Sequence, residues 1–221
     1  MDKRDASWIP FWIHMRNIPC LVVGGGSLAE RRIGRLLEAG AQVTVISPEA
    51  APGVQGLAET GSLEWHRRSY RPDDMDAFRP AIVFALTNNP AVNEQVRRDA
   101  HARSIWVNEA ANGTEGSLIV PAGVRRGKLH FAVTTLGSSP ALVLRIRRQL
   151  EEAYGAEYET MVDFLHDMRR LFQRDVADAG ERARLNRRIL DYPLLDLIRS
   201  GTFESWRMQV IRHWEEYRRL P

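Results

Sequence analysis

The sequence predicts an α/β fold: a parallel sheet wound with helices, then a hairpin plus helix, then a small all-helical part. Three observations predict it. Between residues 20 and 107, short apolar runs alternate with amphipathic stretches. A glycine triplet, Gly24-Gly25-Gly26, sits between the first apolar run and the first amphipathic stretch. From about Glu157 onward only helical periodicity remains.

Each element has its own justification. Cys20-Leu21-Val22-Val23 is apolar at every position, as a strand covered on both faces must be. The helix after the glycines carries Leu28, Ala29, Ile33, Leu36 and Leu37 on one side, with Arg31, Arg32 and Arg35 mostly on the other, and Gly40 closes it. Gln42 to Ile46 is a second strand, broken by Ser47-Pro48, and Leu63 to Arg67 a weaker third. Ala81 to Leu86 is the fourth. Asn89-Pro90 supplies a cap and first turn for a helix through about Arg103, and Ile105 to Val107 is the fifth strand. Strands alternating with helices at this spacing give a parallel sheet with right-handed crossovers.

The pattern then changes. Ser117 to Pro121 and Leu129 to Thr134 read as the strands of a hairpin, with the basic stretch Arg125-Arg126-Gly127-Lys128 between them. Ser139-Pro140 opens a helix with Leu142, Ile146 and Leu150 on one side. Three apolar stripes follow: Met161 to Phe172, Leu185 to Leu190, and Trp206 to Trp214. Polar breaks near Gly180, Pro193 and Gly201 separate them, and the tryptophans read as core.

Composition bounds the function. The chain has 221 residues, 44% hydrophobic and 27% charged, which is enough for a real core and excludes bulk disorder. The basic residues are 29 arginines and two lysines, yet the net charge is only +3, which argues against a nucleic-acid partner. Residues 1–150 carry the positive balance (+5) and residues 151–221 are slightly negative (−2), so a local arginine-rich site for a polyanionic small molecule stays open. A single cysteine, Cys20, excludes an internal disulfide, and the six histidines form no HxxxH or HExxH spacing, so the metal question gets no answer from sequence. No run of about 18 apolar residues exists, so no membrane partner is expected. The run Trp8 to Ile13 is preceded by Asp2 and Asp5 and interrupted by His14 and Arg16, unlike a secretory leader, so the expected location is cytoplasmic.

The glycine triplet carries the chemistry. Gly24-Gly25-Gly26-Ser27-Leu28-Ala29 fits GxGxxA in a strand–turn–helix setting, the signature of a Rossmann-like dinucleotide site. Gly24 allows the tight turn, Gly26 lets backbone approach a pyrophosphate, and Ala29 permits close helix–strand packing. Ser27 and Leu28 open the helix whose free amides and dipole would hold the anion. Ser47, with Pro48 and Glu49 beyond it, occupies the ribose-reading end of the second strand. A serine hydroxyl bonds a ribose without strongly excluding a 2′-phosphate, so NAD is the expected cofactor and NADP stays open. Thr87 and Asn88 end the fourth strand and are expected to face the cofactor.

Beyond these patterns the sequence resembles a family. LVVGGG-x-x-AERR within Phe11–Glu38, then Ala85-Leu86-Thr87-Asn88, Val107-Asn108, Ser117 to Pro121 and Ala132 to Ala141 look like the precorrin-2 dehydrogenases and the N-terminal part of siroheme synthases. The resemblance covers roughly the first 150 residues. It implies NAD-dependent oxidation of precorrin-2 to sirohydrochlorin, with ferrous iron insertion in some members, by an intertwined homodimer acting on a tetrapyrrole. It implies three parts: a Rossmann domain over 1–115, a dimerisation segment over 116–154, and a helical domain over 155–221. It assigns Thr135, Ser138 and Ser139 to the tetrapyrrole.

One departure matters. The family shows N-x-x-D after the fifth strand, and the aspartate is its leading catalytic candidate; here Asn108-Glu109-Ala110-Ala111 puts Ala111 at that place. Alanine can neither take a proton nor deprotonate a pyrrole. Glu109 and Asn112 are the candidates to replace it. The departure also keeps open a reading of another class, a module that binds dinucleotide and tetrapyrrole without turnover.

Overall fold

A computed structural model describes residues 7–109 and 115–217. The chain divides into two units, one of Met1–Val120 with Thr135–Ser139, the other of Pro121–Thr134 with Pro140–Pro221.

The first unit is a five-stranded parallel sheet in the order β3-β2-β1-β4-β5. The strands are β1 (Pro19–Val23), β2 (Gln42–Ile46), β3 (Glu64–His66), β4 (Ile82–Ala85) and β5 (Trp106–Glu109). The helices are α1 (Ser27–Glu38), α2 (Pro52–Glu59), α3 (Asp74–Phe78) and α4 (Pro90–Ala102). The two faces of β1 explain its unbroken apolar run. Cys20 and Val22 pack with Ala29, Ile33 and Leu36 of α1 and Val54 of α2. Leu21 and Val23 pack with Met75 of α3 and Val96 and Ala100 of α4. A strand so placed alternates between two cores and has no solvent face for a polar residue. Helices α2 and α3 are additions to the elements read from sequence.

The order reverses between β1 and β4: after β1 the chain builds outward to β3, then returns to place β4 on the other side of β1. A crevice opens at such a switch point, at the carboxyl ends of the strands.

The hairpin differs from the expectation. It pairs β6 (Ala122–Arg126) with β7 (Leu129–Val133), Arg126 opposite Leu129 and Ala122 opposite Val133. The turn is only Gly127-Lys128, with Gly127 at φ 55°, so register counts back from there and ends at Ala122. The apolar stretch 117–120 lies instead beside β5: Leu118 N–H donates to the Val107 carbonyl, and Asn108 Nδ2 donates to the Leu118 carbonyl at 3.0 Å. Leu118 and Val120 join the core on the α1 side.

The second unit holds this hairpin with α5 (Pro140–Ala153), α6 (Glu157–Asp175), α7 (Ala179–Arg188), α8 (Leu194–Arg199) and α9 (Phe203–Tyr217). The basic hairpin residues are anchored within it. Arg126 donates to the carbonyls of Tyr154 and Glu151 at the end of α5, and Lys128 pairs with Asp163. The three apolar stripes meet as one core of Phe164, Met168, Phe172, Ile189, Leu194 and Phe203, with Trp206 and Trp214 packed on it. The break before α7 falls at Asp178, whose carboxylate caps the helix by accepting from Glu181 N–H. Gly180 lies inside that first turn. No helix among the described residues is long and apolar enough to cross a membrane.

Candidate dinucleotide-binding site

A cleft of about 640 Å³ sits at the switch point. Its walls come from the ends of four strands and the segments that follow them: Gly24–Gly26 after β1, Ser47–Ala51 after β2, Ser69 and Tyr70 beyond β3, and Thr87–Asn89 after β4.

The glycines divide the work. Gly24 adopts φ 119°, a region barred to most side chains, and a Cβ there would lie 2.5 Å from the Leu86 carbonyl oxygen. A Cβ on Gly25 would collide with the Glu49 carbonyl oxygen and lie 2.9 Å from Ala50 Cα. These two let the strand ends close on one another. Gly26 is different: a Cβ there would meet nothing within 4 Å. The space over it belongs to the cleft, at the N-cap of α1, where Gly26 has no side chain with which to occupy the first amides of the helix. Free amides, a positive dipole end and a cradle that a Cβ would fill are what a pyrophosphate requires. The residues present fit a dinucleotide.

The loop after β4 is held by Asn93, which is buried on α4. Asn93 Oδ1 accepts from Thr87 N–H at 3.0 Å and from Thr87 Oγ1 at 2.7 Å, while its Nδ2 donates to the Thr87 carbonyl at 2.9 Å. Asn89 caps α4, its Oδ1 accepting from Ala91 N–H at 3.0 Å. Asn88 between them is exposed on the cleft. Ser47 Oγ donates to the Glu49 carbonyl at 2.6 Å, so its oxygen keeps lone pairs with which to accept a further hydrogen bond. Tyr70 donates to Asp99 Oδ2 at 2.8 Å, and Gln95 donates to the other oxygen of that carboxylate. Burial first, then the Asp99 carboxylate, push the Tyr70 phenol far above its ordinary range, so this wall stays neutral.

Of the residues expected to hold the cofactor, Gly24, Gly25, Gly26, Ser47, Pro48, Glu49, Thr87 and Asn88 line this cleft. Ser27 and Leu28 open α1 but are not among its lining residues. Sequence reasoning missed Ser69, Tyr70 and Val92, which line it, and Asn93, which shapes it.

Glu109 is not brought to the cleft. It shares the α4 face with Val107, two residues before it on β5, and its carboxylate pairs with Arg97 of α4 at 3.0 Å. Its side chain is 4% exposed. Ala111 and Asn112 lie outside the described residues. Thr135, Ser138 and Ser139 form one tight turn: Thr135 Oγ1 accepts from Ser139 N–H at 2.9 Å and the Thr135 carbonyl from Ser138 N–H. None of the three lines the cleft. Among the described residues no group of three metal-ligating side chains gathers.

Comparison with known proteins agrees with this geometry. A family model described as "Putative NAD(P)-binding" matches residues 11–122. The siroheme synthase of Chromobacterium violaceum is 36% identical over 203 residues, 92% of this chain and 43% of that protein. The siroheme synthase of Methylococcus capsulatus is 31% identical over 198 residues, 90% of this chain and 41% of that protein. The chain thus spans less than half the length of these relatives. Among solved structures, SirC, a precorrin-2 dehydrogenase, superposes with a TM-score of 0.75 at 28% identity, covering 91% of this chain and all of that one. The chain belongs to this NAD(P)-binding family, the one shared by precorrin-2 dehydrogenases and siroheme synthases.

Proposed function

We propose that the protein is a precorrin-2 dehydrogenase that oxidises precorrin-2 to sirohydrochlorin with NAD⁺. One observation carries the reading: the open cradle over Gly26 at the switch point, in a chain whose fold matches SirC along 91% of its length. Once bound, the nicotinamide supplies hydride acceptance. Precorrin-2 and sirohydrochlorin differ by two electrons and two protons, so the macrocycle would give up a C–H hydride to that acceptor and a proton to solvent or a base, with no oxygen consumed.

This chain's part is positional. The α1 amides and Gly26 would hold the pyrophosphate, Ser47 would accept from a ribose hydroxyl, and Asn88 and Thr87, the latter held by Asn93, would border the cofactor. Glu49 on the rim brings a negative charge near the ribose, which supports NAD over NADP. Thr135, Ser138 and Ser139 bear on the tetrapyrrole by resemblance alone. The α5 helix has no buried residue, which supports a homodimer.

The test is direct: purified protein is incubated with precorrin-2 and either NAD⁺ or NADP⁺, and absorbance of the reduced cofactor is followed. Faster reduction of NAD⁺ is expected. Binding of both ligands with no reduced cofactor formed would favour the second reading, the non-catalytic module to which Ala111 points. Sirohydrochlorin with Fe²⁺ or Co²⁺ tests metal insertion in the same preparation.

A further inference from the structure

Arg32 stands on the second turn of α1. Its neighbours Ile33 and Leu36 bury their side chains against the sheet, and Arg31 and Arg35 are exposed. Arg32 does neither. Its guanidinium lies over the Phe84 ring of β4, Cζ 5.6 Å from the ring centroid. Its Nε is sealed from solvent and has no hydrogen-bond partner, and among the described residues no carboxylate pairs with it. Burial, with Arg35 and Arg31 adding like charge, pushes the guanidinium down to about 10. A cation held this way is costly, and the ring face offsets only part of the cost. The other half-buried arginines of this unit have their anions: Arg68 has Asp74 and Arg97 has Glu109.

Its place gives the missing anion a chemistry. Helical side chains lean toward the helix N-terminus, and the N-terminus of α1 lies at the carboxyl edge of the sheet because Gly24–Gly26 joins it directly to β1. Phe84 is the penultimate residue of β4 and pairs with Asn108 of β5. Phe84 also pairs with Val22 of β1, so the guanidinium lies beneath β4, on the other side of β1 from Ser47 and Tyr70 and next to the cleft, whose lining residues do not include Arg32. With the ribose reader on the β2 side, a dinucleotide crossing the switch point carries its reacting ring toward β4 and β5.

We propose that Arg32 binds a carboxylate of the polycarboxylated macrocycle beside the reacting ring, a substrate-binding role for a residue on α1. This rests on the dehydrogenase reading above. A guanidinium takes a carboxylate as a two-pronged charge-assisted pair, which an ammonium reproduces only in part.

The experiment uses the full chain and two variants, Arg32→Met and Arg32→Lys. Sirohydrochlorin is titrated by its absorbance, NAD⁺ is titrated separately by quenching of tryptophan fluorescence, and thermal midpoints are recorded. Arg32→Met is expected to weaken sirohydrochlorin binding by about ten- to a hundredfold and raise KM for precorrin-2, with NAD⁺ affinity unchanged. Arg32→Lys should fall between it and the wild type. The thermal midpoint of Arg32→Met should equal or exceed that of the wild type, because an unpaired cation has been removed. Unchanged sirohydrochlorin binding in Arg32→Met overturns the assignment. So does lost NAD⁺ affinity, which would make Arg32 a cofactor residue, or a lowered midpoint with both affinities lost, which would make it structural. Wild-type protein that neither binds nor oxidises tetrapyrrole overturns the dehydrogenase reading as well. Wild-type turnover with an unchanged KM in Arg32→Met sinks this proposal alone.

Discussion

Arg97 Nε lies 3.0 Å from Glu109 Oε2, joining the middle of α4 to the last residue of β5, and Arg97 Nη1 stands 3.8 Å from Glu115 on the far side of residues 110–114. One guanidinium thus faces both flanks of the segment that contains Ala111, the position where the resemblance leads one to expect an aspartate. The burial of the Glu109 carboxylate makes it an anchor. Glu109→Gln keeps the shape and an acceptor for Arg97, so turnover should stay within about threefold of wild type, against the hundredfold or more that losing a general base costs. Arg97→Met leaves a buried carboxylate unpaired and should cost about 3 kcal/mol in urea unfolding. Turnover of Glu109→Gln reduced a hundredfold with normal stability would restore Glu109 as the proton acceptor.

The glycine triplet makes a prediction that separates folding from binding. A side chain on Gly26 enters open space at φ −76°, which any residue adopts. Gly26→Val should therefore melt close to wild type yet lose NAD⁺ affinity by at least about tenfold, because the methyls occupy the phosphate cradle. Gly25→Val drives its side chain into the backbone of Glu49 and Ala50 and should lose about 2 kcal/mol or more of stability before binding is considered. Equal melting temperatures and equal NAD⁺ affinities in both variants would contradict the cradle.

What the sequence revealed and what it hid have physical reasons. β2 was legible to the residue because Gly40 and Ser47-Pro48 punctuate it, and the cofactor cleft because a glycine signature is local chemistry. Helices α2 and α3 were not. The first contains Gly53 and Gly56, and the second has only five residues, so neither offers enough turns for a period to appear. The hairpin register slipped because the apolar run 117–120 is as strand-like as Ala122–Arg126, and only its burial beside β5 decides between them. Tyr70, Asn93 and Arg97 owe their roles to partners on other elements. Tyr70 meets Asp99 29 residues away, and no local spacing announces such a pair.

Asp74 sets an acid limit on the first unit. It is buried at the start of α3, which alone would raise its carboxyl. Two bonds from the Arg68 guanidinium, at 2.9 and 2.6 Å, and one from Arg71 N–H at 2.7 Å instead hold it below the usual carboxylate range. A depressed folded-state value means the stabilisation is complete above the unfolded-state value, near pH 4, and is lost as pH falls through the folded value. Stability should therefore drop below about pH 4. Asp74→Asn should lower stability at pH 7 by about 2 kcal/mol and flatten the acid limb. Urea unfolding of both proteins between pH 3 and 7 measures this; parallel acid limbs would assign the loss to other groups.

Cys20 tests the tightness of the sheet core. It is buried in β1, and burial pushes its thiol up to about 11. Thiolate is the reactive form, so the native protein should resist iodoacetamide at pH 8 and react fully in guanidinium chloride. The native labelling rate should then track sheet opening, and saturating NAD⁺ should slow it, because a ligand that binds only the folded unit disfavours opening. A native rate close to that of the unfolded chain would mean the core around β1 is not closed.

Helix α5 presents the last prediction. It is fourteen residues long and buries none of them, while Leu142 and Leu144 are 45% and 51% exposed. Its other residues include Ile146 and Leu150, at four-residue steps from Leu142, so the apolar side runs the length of the helix rather than ending as an isolated patch. The hairpin covers α5 only in part, leaving Ile146 and Leu150 half-buried and Leu142 exposed, and a second copy laid against it would remove that surface from water. Sedimentation equilibrium should give twice the mass of one chain. Leu142→Glu places a carboxylate in the seam and should return the mass to that of one chain at micromolar concentration, with the far-UV circular dichroism unchanged because the hairpin and α6–α9 do not depend on that side chain for burial. A wild-type mass of one chain, or a Leu142→Glu variant still at twice the mass, would place the dimer contact elsewhere or remove it.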